Sequence, residues 1–135
     1  MVNSGHLIKK LASFHAGTIL VGAAILWLTL APHPIGDQEI PLFPGADKIV
    51  HALMFLGLCG TFLVEMQIIG KLRKSVAAVA TICTILMGIG IEYLQRLMGL
   101  GRSFEAADMI ADTTGALIAG IAALIFIYHS KTHTH

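Results

Sequence analysis

Polar and ionisable side chains gather in one stretch of a chain that has few of them. Only 13% of its 135 residues are charged. The stretch from residue 91 to residue 112 nevertheless holds Glu92, Gln95, Arg96, Arg102, Glu105, Asp108 and Asp112. Long apolar runs flank it, and ionisable groups at the rim of apolar helices indicate a functional site because they are costly to keep there. A second group, Asp47, Lys48 and His51, opens another apolar run.

Three pairs of these residues have helical spacing, so that both members of each pair share one helical face. The pairs are Asp47 with His51, Glu92 with Gln95, and Asp108 with Asp112. Asp112 lies one turn deeper in its apolar run than Asp108. We therefore expect the carboxylate of Asp112 to point into the protein and not at lipid.

Acid–base chemistry is the first use that fits these residue types. His51, Glu92 and Asp108 could act as general acids and bases on a substrate. Lys48 and Arg102 could hold an anionic phosphate on that substrate. The residues that we expect to bind the substrate are Asp47, Lys48, Gln95, Arg102 and Asp112.

Two other uses of the same residues remain open. Oxygen and nitrogen atoms could ligate a divalent ion, and the candidate ligands are His51, Glu92, Asp108 and Asp112. The sequence has no compact ligand motif such as H-E-x-x-H, so it identifies neither a metal nor another cofactor. The third use is structural, as a buried ion-pair network that fixes the register of the helices.

The composition places the chain in a membrane. Hydrophobic residues make up 56% of the sequence, and the mean hydropathy is +0.79. A soluble domain would be less apolar and would carry about a quarter charged residues. The net charge of +1 lacks the large excess of basic residues that is typical of a nucleic-acid-binding protein. We expect an all-α integral membrane protein with one domain over residues 1–135, in contact with the lipid bilayer and not with nucleic acid.

Four apolar runs predict four transmembrane helices, at about residues 12–31, 49–69, 75–98 and 107–128. Each run is close to the roughly 20 residues that a membrane-spanning helix needs. Residues 32–47 contain all four prolines and predict a loop, because proline breaks helices. In the fourth run Gly115, Ala119 and Ala123 recur every four residues, which would let another helix approach closely. We expect a four-helix bundle.

The basic residues predict the orientation of this bundle. With four spanning helices both termini lie on one side, and that side carries Lys9, Lys10, Lys71, Arg73, Lys74 and Lys131. The opposite loops carry Lys48 and Arg102, with Arg96 at the rim. Because cytoplasmic loops are enriched in Lys and Arg, we expect both termini in the cytoplasm. The polar residues would then meet at the outer face of the membrane.

Three segments in this order resemble the VanZ-like family. They are DKIVHALMF at residues 47–55, IEYLQ at residues 91–95 and GRSFEAADMIADTTGALIAG at residues 101–120. In outline the family segments read D-K-x-x-H, then E-x-x-Q, then G-R-x-x-x-x-x-D-x-x-x-N-x-x-G. By this resemblance the characteristic positions are Asp47, Lys48, His51, Glu92, Gln95, Arg102, Asp108 and Gly115. Asp112 departs from the outline, in which asparagine is usual, and adds a carboxylate to the group.

The resemblance implies a bacterial cell-envelope protein. The family takes its name from a member linked to low-level resistance to the glycopeptide teicoplanin, so a contribution to this resistance is the expected function. We expect the protein in the cytoplasmic (inner) membrane with its site facing outward. Two mechanisms remain open: an enzyme that modifies a lipid-linked or phosphate-bearing envelope molecule, and a non-catalytic protein that binds lipid or a partner.

Overall fold

Five helices make up the part of the chain that the structure describes. The computed structural model describes residues 4–31, 43–99 and 106–132. The helices are α1 (Ser4–Ser13), α2 (Ala16–Leu30), α3 (Ala46–Ile68), α4 (Lys74–Met98) and α5 (Ala106–Thr132). These three described ranges contain no strand, so the prediction of an all-α protein is confirmed.

The first apolar run is divided between two helices that meet at a bend of 53°. The sequence predicts one helix over about residues 12–31, whereas α1 ends at Ser13 and α2 begins at Ala16. Between them His15 has a left-handed backbone conformation, with φ of 51°. A residue other than glycine rarely adopts this conformation, and it interrupts the helical path of the backbone. The basic segment α1 is therefore a separate helix and does not continue the axis of α2.

Glycines set two of the helix ends near the polar residues. Gly45 has φ of 86° just before α3, and Gly99 has φ of 60° just after α4. Both are left-handed conformations that glycine adopts without a steric penalty. As a result Asp47 lies in the first turn of α3, and not in the loop that the sequence predicts over residues 32–47. Residues 32–42 and 100–105 lie outside the described part of the chain.

Three helices, α3, α4 and α5, are long and apolar enough to cross a membrane. The shortest of them, α3, has 23 residues, and α5 continues to Thr132, beyond its predicted end at about residue 128. With 15 residues, α2 is about 22 Å long, shorter than the roughly 30 Å core of a bilayer. The bent pair α1 and α2 meets the same criteria only when both helices count as one span. The four-helix bundle therefore stays a prediction.

Hydrogen bonds made by polar side chains fix the directions of α2 to α5. Glu65 near the end of α3 binds the start of α2. Gln95 near the end of α4 binds Thr29 near the end of α2. His51 and Asp112 join the starts of α3 and α5. Hence α3 and α5 run in one direction, and α2 and α4 run in the other.

Glycine allows α5 to pack closely against its neighbours. A β-carbon at Gly115 would strike the carbonyl oxygen of Ala52 in α3. Further along α5, a β-carbon at Gly120 would strike a side chain of α4. Ala119 and Ala123 are buried on the same helix. The prediction that these small residues face neighbouring helices is confirmed, and the close packing draws the polar residues of α3, α4 and α5 together.

Candidate functional site

The polar site lies where α3 and α5 begin and α4 ends. His51 is in the second turn of α3, Glu92 is in the last two turns of α4, and Asp108 and Asp112 are in the first two turns of α5. These helix ends lie at one level because α4 runs opposite to α3 and α5. The structure thus brings together residues whose convergence the sequence predicts, and their functional roles stay predictions.

A partly buried hydrogen bond joins His51 to Asp112. Nδ1 of His51 lies 3.0 Å from Oδ1 of Asp112. The His51 side chain is 12% exposed and the Asp112 side chain only 2%, so Asp112 points into the protein as its position predicts. A carboxylate can only accept a hydrogen bond, so Nδ1 carries the hydrogen, and Nε2 is left for another partner.

Glu92 completes a group of three ligand-type side chains. It is buried, and His51, Glu92 and Asp112 each offer one nitrogen or oxygen atom within 4.8 Å of the others. We call these three residues the buried triad. Gly88, one turn before Glu92, leaves space for the side chain of Asp112, because a β-carbon at Gly88 would lie 3.0 Å from Oδ2 of Asp112. Such a triad can bind a cation, orient a histidine for proton transfer, or fix the register of three helices.

Lys48 connects two acidic residues beside the buried triad. Its ammonium group is 2.8 Å from Oδ2 of Asp47, which is a hydrogen bond, and 3.4 Å from Oδ1 of Asp108. The second contact is an ion pair without hydrogen-bond geometry, since Oδ1 of Asp108 is buried with no hydrogen-bond partner among the described residues. Two carboxylates thereby balance the charge of Lys48, which weakens its attraction for an anionic ligand.

Gln95 and Arg102 are the remaining residues that the sequence assigns to the site. Gln95 is buried, and its amide nitrogen donates to the carbonyl oxygen of Thr29 at 2.8 Å. This bond ties the end of α4 to the end of α2, so Gln95 helps to hold these helices together. Arg102 lies outside the described residues. Substrate binding by Gln95 and by Arg102 stays a prediction.

A second buried polar group, at the other end of α3, is absent from the sequence prediction. Oε1 of Glu65 accepts hydrogen bonds from the backbone N–H groups of Gly17 at 2.7 Å and Thr18 at 3.4 Å. Oε2 accepts from the hydroxyl of Thr18 at 2.6 Å and lies 3.3 Å from Nδ1 of His15. The N–H groups belong to the first turn of α2, which has no capping side chain of its own. Glu65 therefore caps α2 from the neighbouring helix.

One signal for this cap is present in the sequence. His15 stands before α2, where Ser, Thr, Asp or Asn would cap a helix, so the first N–H groups of α2 need an acceptor from elsewhere. Glu65 is the one acid between residues 49 and 91. The sequence does not show which helix lies beside the start of α2, and only the packing of α2 on α3 selects Glu65.

A family model matches most of the chain. It is the model described as VanZ/LLP1, and it covers residues 6–127 of the 135. The chain belongs to the VanZ/LLP1 family. With its apolar helices, it is a multi-pass membrane protein and a VanZ-type envelope protein. No curated protein and no solved structure matches the chain.

The VanZ/LLP1 match includes every residue of the buried triad. It spans α3 and α4 completely and extends to residue 127 of α5. The resemblance that the segments at residues 47–55, 91–95 and 101–120 indicate is thus confirmed at the level of the family. Family membership identifies no substrate and no reaction for this group.

Proposed function

We propose that this VanZ/LLP1 protein contributes to glycopeptide (teicoplanin) resistance from the bacterial cytoplasmic membrane. The buried triad is its working site. The observation that carries the proposal is the burial of two carboxylates beside a partly buried histidine among apolar membrane helices. Ionisable groups in such a place are expensive to desolvate, and in membrane proteins they mark functional sites by default. The distribution of Lys and Arg supports an orientation in which this site faces outward.

The molecule that we propose at this site is a lipid-linked or otherwise phosphate-bearing component of the envelope. The triad lies near the ends of the spanning helices, at the depth where lipid head groups would approach it. Lys48 bridges Asp47 and Asp108, so Arg102, which follows in the adjoining segment, is the cation that we propose for the phosphate. Nε2 of His51 is available either for a proton of that molecule or for a cation that accompanies its phosphate.

Binding without turnover is a second candidate function, and one feature favours it. A crevice of about 580 Å³ between α2, α3 and α4 is lined largely by apolar side chains, including Leu58, Phe62 and Met87. Val79 and Cys83 in its wall are also exposed on the outer surface of the helices. The occupant that fits this lining is an acyl chain of the lipid-linked molecule.

Turnover separates these two functions. The detergent-purified protein is incubated with envelope lipids, and both the lipids in solution and those that remain bound are analysed. An enzyme should yield a new lipid product in proportion to its concentration. A binding protein should retain a lipid without producing a new one.

Susceptibility to teicoplanin tests the resistance role and the site together. The wild type and the variants Glu92→Gln and Arg102→Lys are expressed in a glycopeptide-sensitive bacterium, and their membrane abundance is measured. Glu92→Gln removes a charge with little change in size, and Arg102→Lys loses the two-pronged geometry suited to phosphate. Wild type should raise the inhibitory concentration, and both variants at normal abundance should abolish the increase.

Glu65→Gln is the matched control, because Glu65 is also a buried carboxylate with a histidine partner, but at the other end of α3. At normal abundance it should keep the full effect. An unchanged inhibitory concentration with the wild type would contradict the resistance role. Full resistance in both site variants would show that the polar site is scaffolding and that the function lies elsewhere.

A further inference from the structure

Three helices each contribute one metal-ligand side chain to the same small volume. The residues are His51 from α3, Glu92 from α4 and Asp112 from α5, and their ligand atoms lie within 4.8 Å of one another. The 3.0 Å between Nδ1 of His51 and Oδ1 of Asp112 suits a hydrogen bond. The hydrogen of this bond is on Nδ1, so Nε2 is the nitrogen of His51 that is left for an ion.

An unsatisfied oxygen atom points independently to a ligand at this position. Oδ2 of Asp112 is buried and has no hydrogen-bond partner within the described ranges, and the residue is only 2% exposed. Buried carboxylate oxygens are normally paired or bound to a metal. Because Gly88 has no side chain, the packing leaves space for this oxygen between α4 and α5.

The charge of the group also favours a cation. Glu92 and Asp112 bring two buried carboxylates to one place among apolar helices. The geometry points to a divalent cation site formed by His51, Glu92 and Asp112. Such an ion gives Oδ2 of Asp112 a partner.

The ligand set selects the class of ion. One imidazole with two carboxylates suits Zn²⁺ or Mn²⁺, whereas Ca²⁺ and Mg²⁺ prefer oxygen ligands throughout. Three protein ligands leave at least one coordination position open. If the function proposed above is right, a phosphate oxygen of the envelope molecule occupies that position. This last step rests on the proposed function, while the ion site itself does not.

Calorimetry on the chelator-treated, full-length protein in detergent tests the site, with Zn²⁺ and Mn²⁺ as separate probes and Ca²⁺ for comparison. The background carries His133→Ala and His135→Ala, because histidines of the C-terminal segment could bind metal by themselves. One Zn²⁺ or Mn²⁺ should bind per chain and more tightly than Ca²⁺. Asp112→Asn and Glu92→Gln should each weaken this binding by at least about tenfold. Glu65→Gln should keep the affinity of the background protein.

Thermal unfolding in the same detergent checks the variants. Zn²⁺ or Mn²⁺ should raise the melting temperature of the background protein and of Glu65→Gln, and it should not raise that of Asp112→Asn or Glu92→Gln. Pulsed electron paramagnetic resonance of Mn²⁺ in the background protein needs no variant of the site. It should show one directly coordinated histidine nitrogen.

The inference is overturned if neither ion binds, if Asp112→Asn and Glu92→Gln both bind as tightly as the background, or if bound Mn²⁺ has no histidine nitrogen. These outcomes are distinct from a failure of the proposed function. An ion that binds as described, in a protein without effect on teicoplanin susceptibility, would contradict the proposed function and leave the cation site standing. Resistance that depends on Glu92, in a protein that binds no ion, would contradict the cation site and leave the proposed function standing.

Discussion

At the scale of single residues, two buried carboxylates with histidine partners differ in how completely they are satisfied. Glu65 receives three hydrogen bonds from Gly17 and Thr18 and has His15 beside it. Asp112 has His51 at Oδ1, whereas its Oδ2 has no partner in the described chain. A carboxylate whose two oxygens both have hydrogen-bond partners serves the structure. A carboxylate with a buried oxygen that has no partner can still bind a ligand.

The capping role of Glu65 can be measured as stability. Glu65→Ala leaves the partly buried N–H groups at the start of α2 without an acceptor, and it should lower the free energy of unfolding by about 1–3 kcal/mol. Glu65→Gln keeps an oxygen acceptor for the N–H of Gly17, so its loss should be smaller. Val64→Ala is the control, because Val64 is the preceding residue and is exposed. Unfolding in detergent gives the comparison, and equal stability of Glu65→Ala and Val64→Ala would show that the cap contributes nothing.

At the scale of helices, α5 positions the site by the closeness of its approach to α3. Gly115 lies one turn beyond Asp112, and it meets the backbone of Ala52, the residue after His51. The hydrogen bond between His51 and Asp112 therefore forms beside the glycine contact. Small residues serve this purpose in membrane helices because association there depends on close packing and interhelical hydrogen bonds.

A β-carbon added to Gly115 should separate α3 from α5. We expect Gly115→Ala to lower the free energy of unfolding by about 1–3 kcal/mol through overpacking. Gly60→Ala is the matched control in α3, since a β-carbon there has no atom within 4 Å. This control should be neutral or more stable by up to about 1 kcal/mol, because alanine favours helices.

Thermal or denaturant unfolding in detergent distinguishes the two alanine variants. Equal stability of Gly115→Ala and Gly60→Ala would contradict the close approach of α5 to α3. Since the same contact positions Asp112, Gly115→Ala should also weaken Zn²⁺ or Mn²⁺ binding, and Gly60→Ala should leave it unchanged.

At the scale of the whole molecule, the number of spans depends on α2 and on the bend before it. The start of α2 is bound to Glu65 and its end to Gln95, so α2 extends from one buried polar level of the protein to the other. Its neighbour α1 carries Lys9 and Lys10 and leaves the axis of α2 at 53°. The predicted fourth span requires α1 and α2 to cross the membrane together, and both termini then lie on one side.

Cysteine labelling from outside intact cells tests this topology. Single cysteines are placed in a background in which Cys59 and Cys83 are replaced by alanine. Probes at Gly36 and Ser103 should react, and probes at Ser4, Arg73 and Lys131 should be protected. The basic residues on the protected side are the physical reason for this orientation.

Two labelling results would contradict the predicted topology in different ways. Reaction at Arg73 from outside would reverse the orientation and place the buried triad towards the cytoplasm. Reaction at only one of Ser4 and Lys131 would show that the termini lie on opposite sides and that the protein has three spans.

The sequence alone determines the helices and the level at which the polar residues meet. Helices form from local hydrogen bonds and apolar composition, so α3, α4 and α5 lie close to their predicted bounds. Helices that alternate in direction bring the start of α3, the end of α4 and the start of α5 to one level. This is why His51, Glu92 and Asp112 can be grouped from their positions in the chain.

Only the tertiary structure decides which side chains pair within that level. Asp112 pairs with His51, and Gln95 binds Thr29 instead, because each choice depends on the rotation and separation of two helices. Those quantities follow from contacts between residues distant in sequence, such as Gly115 against Ala52. The bend at His15 and the cap by Glu65 have the same origin. The first N–H groups of α2 need an acceptor, and the packing of α2 against α3 supplies it.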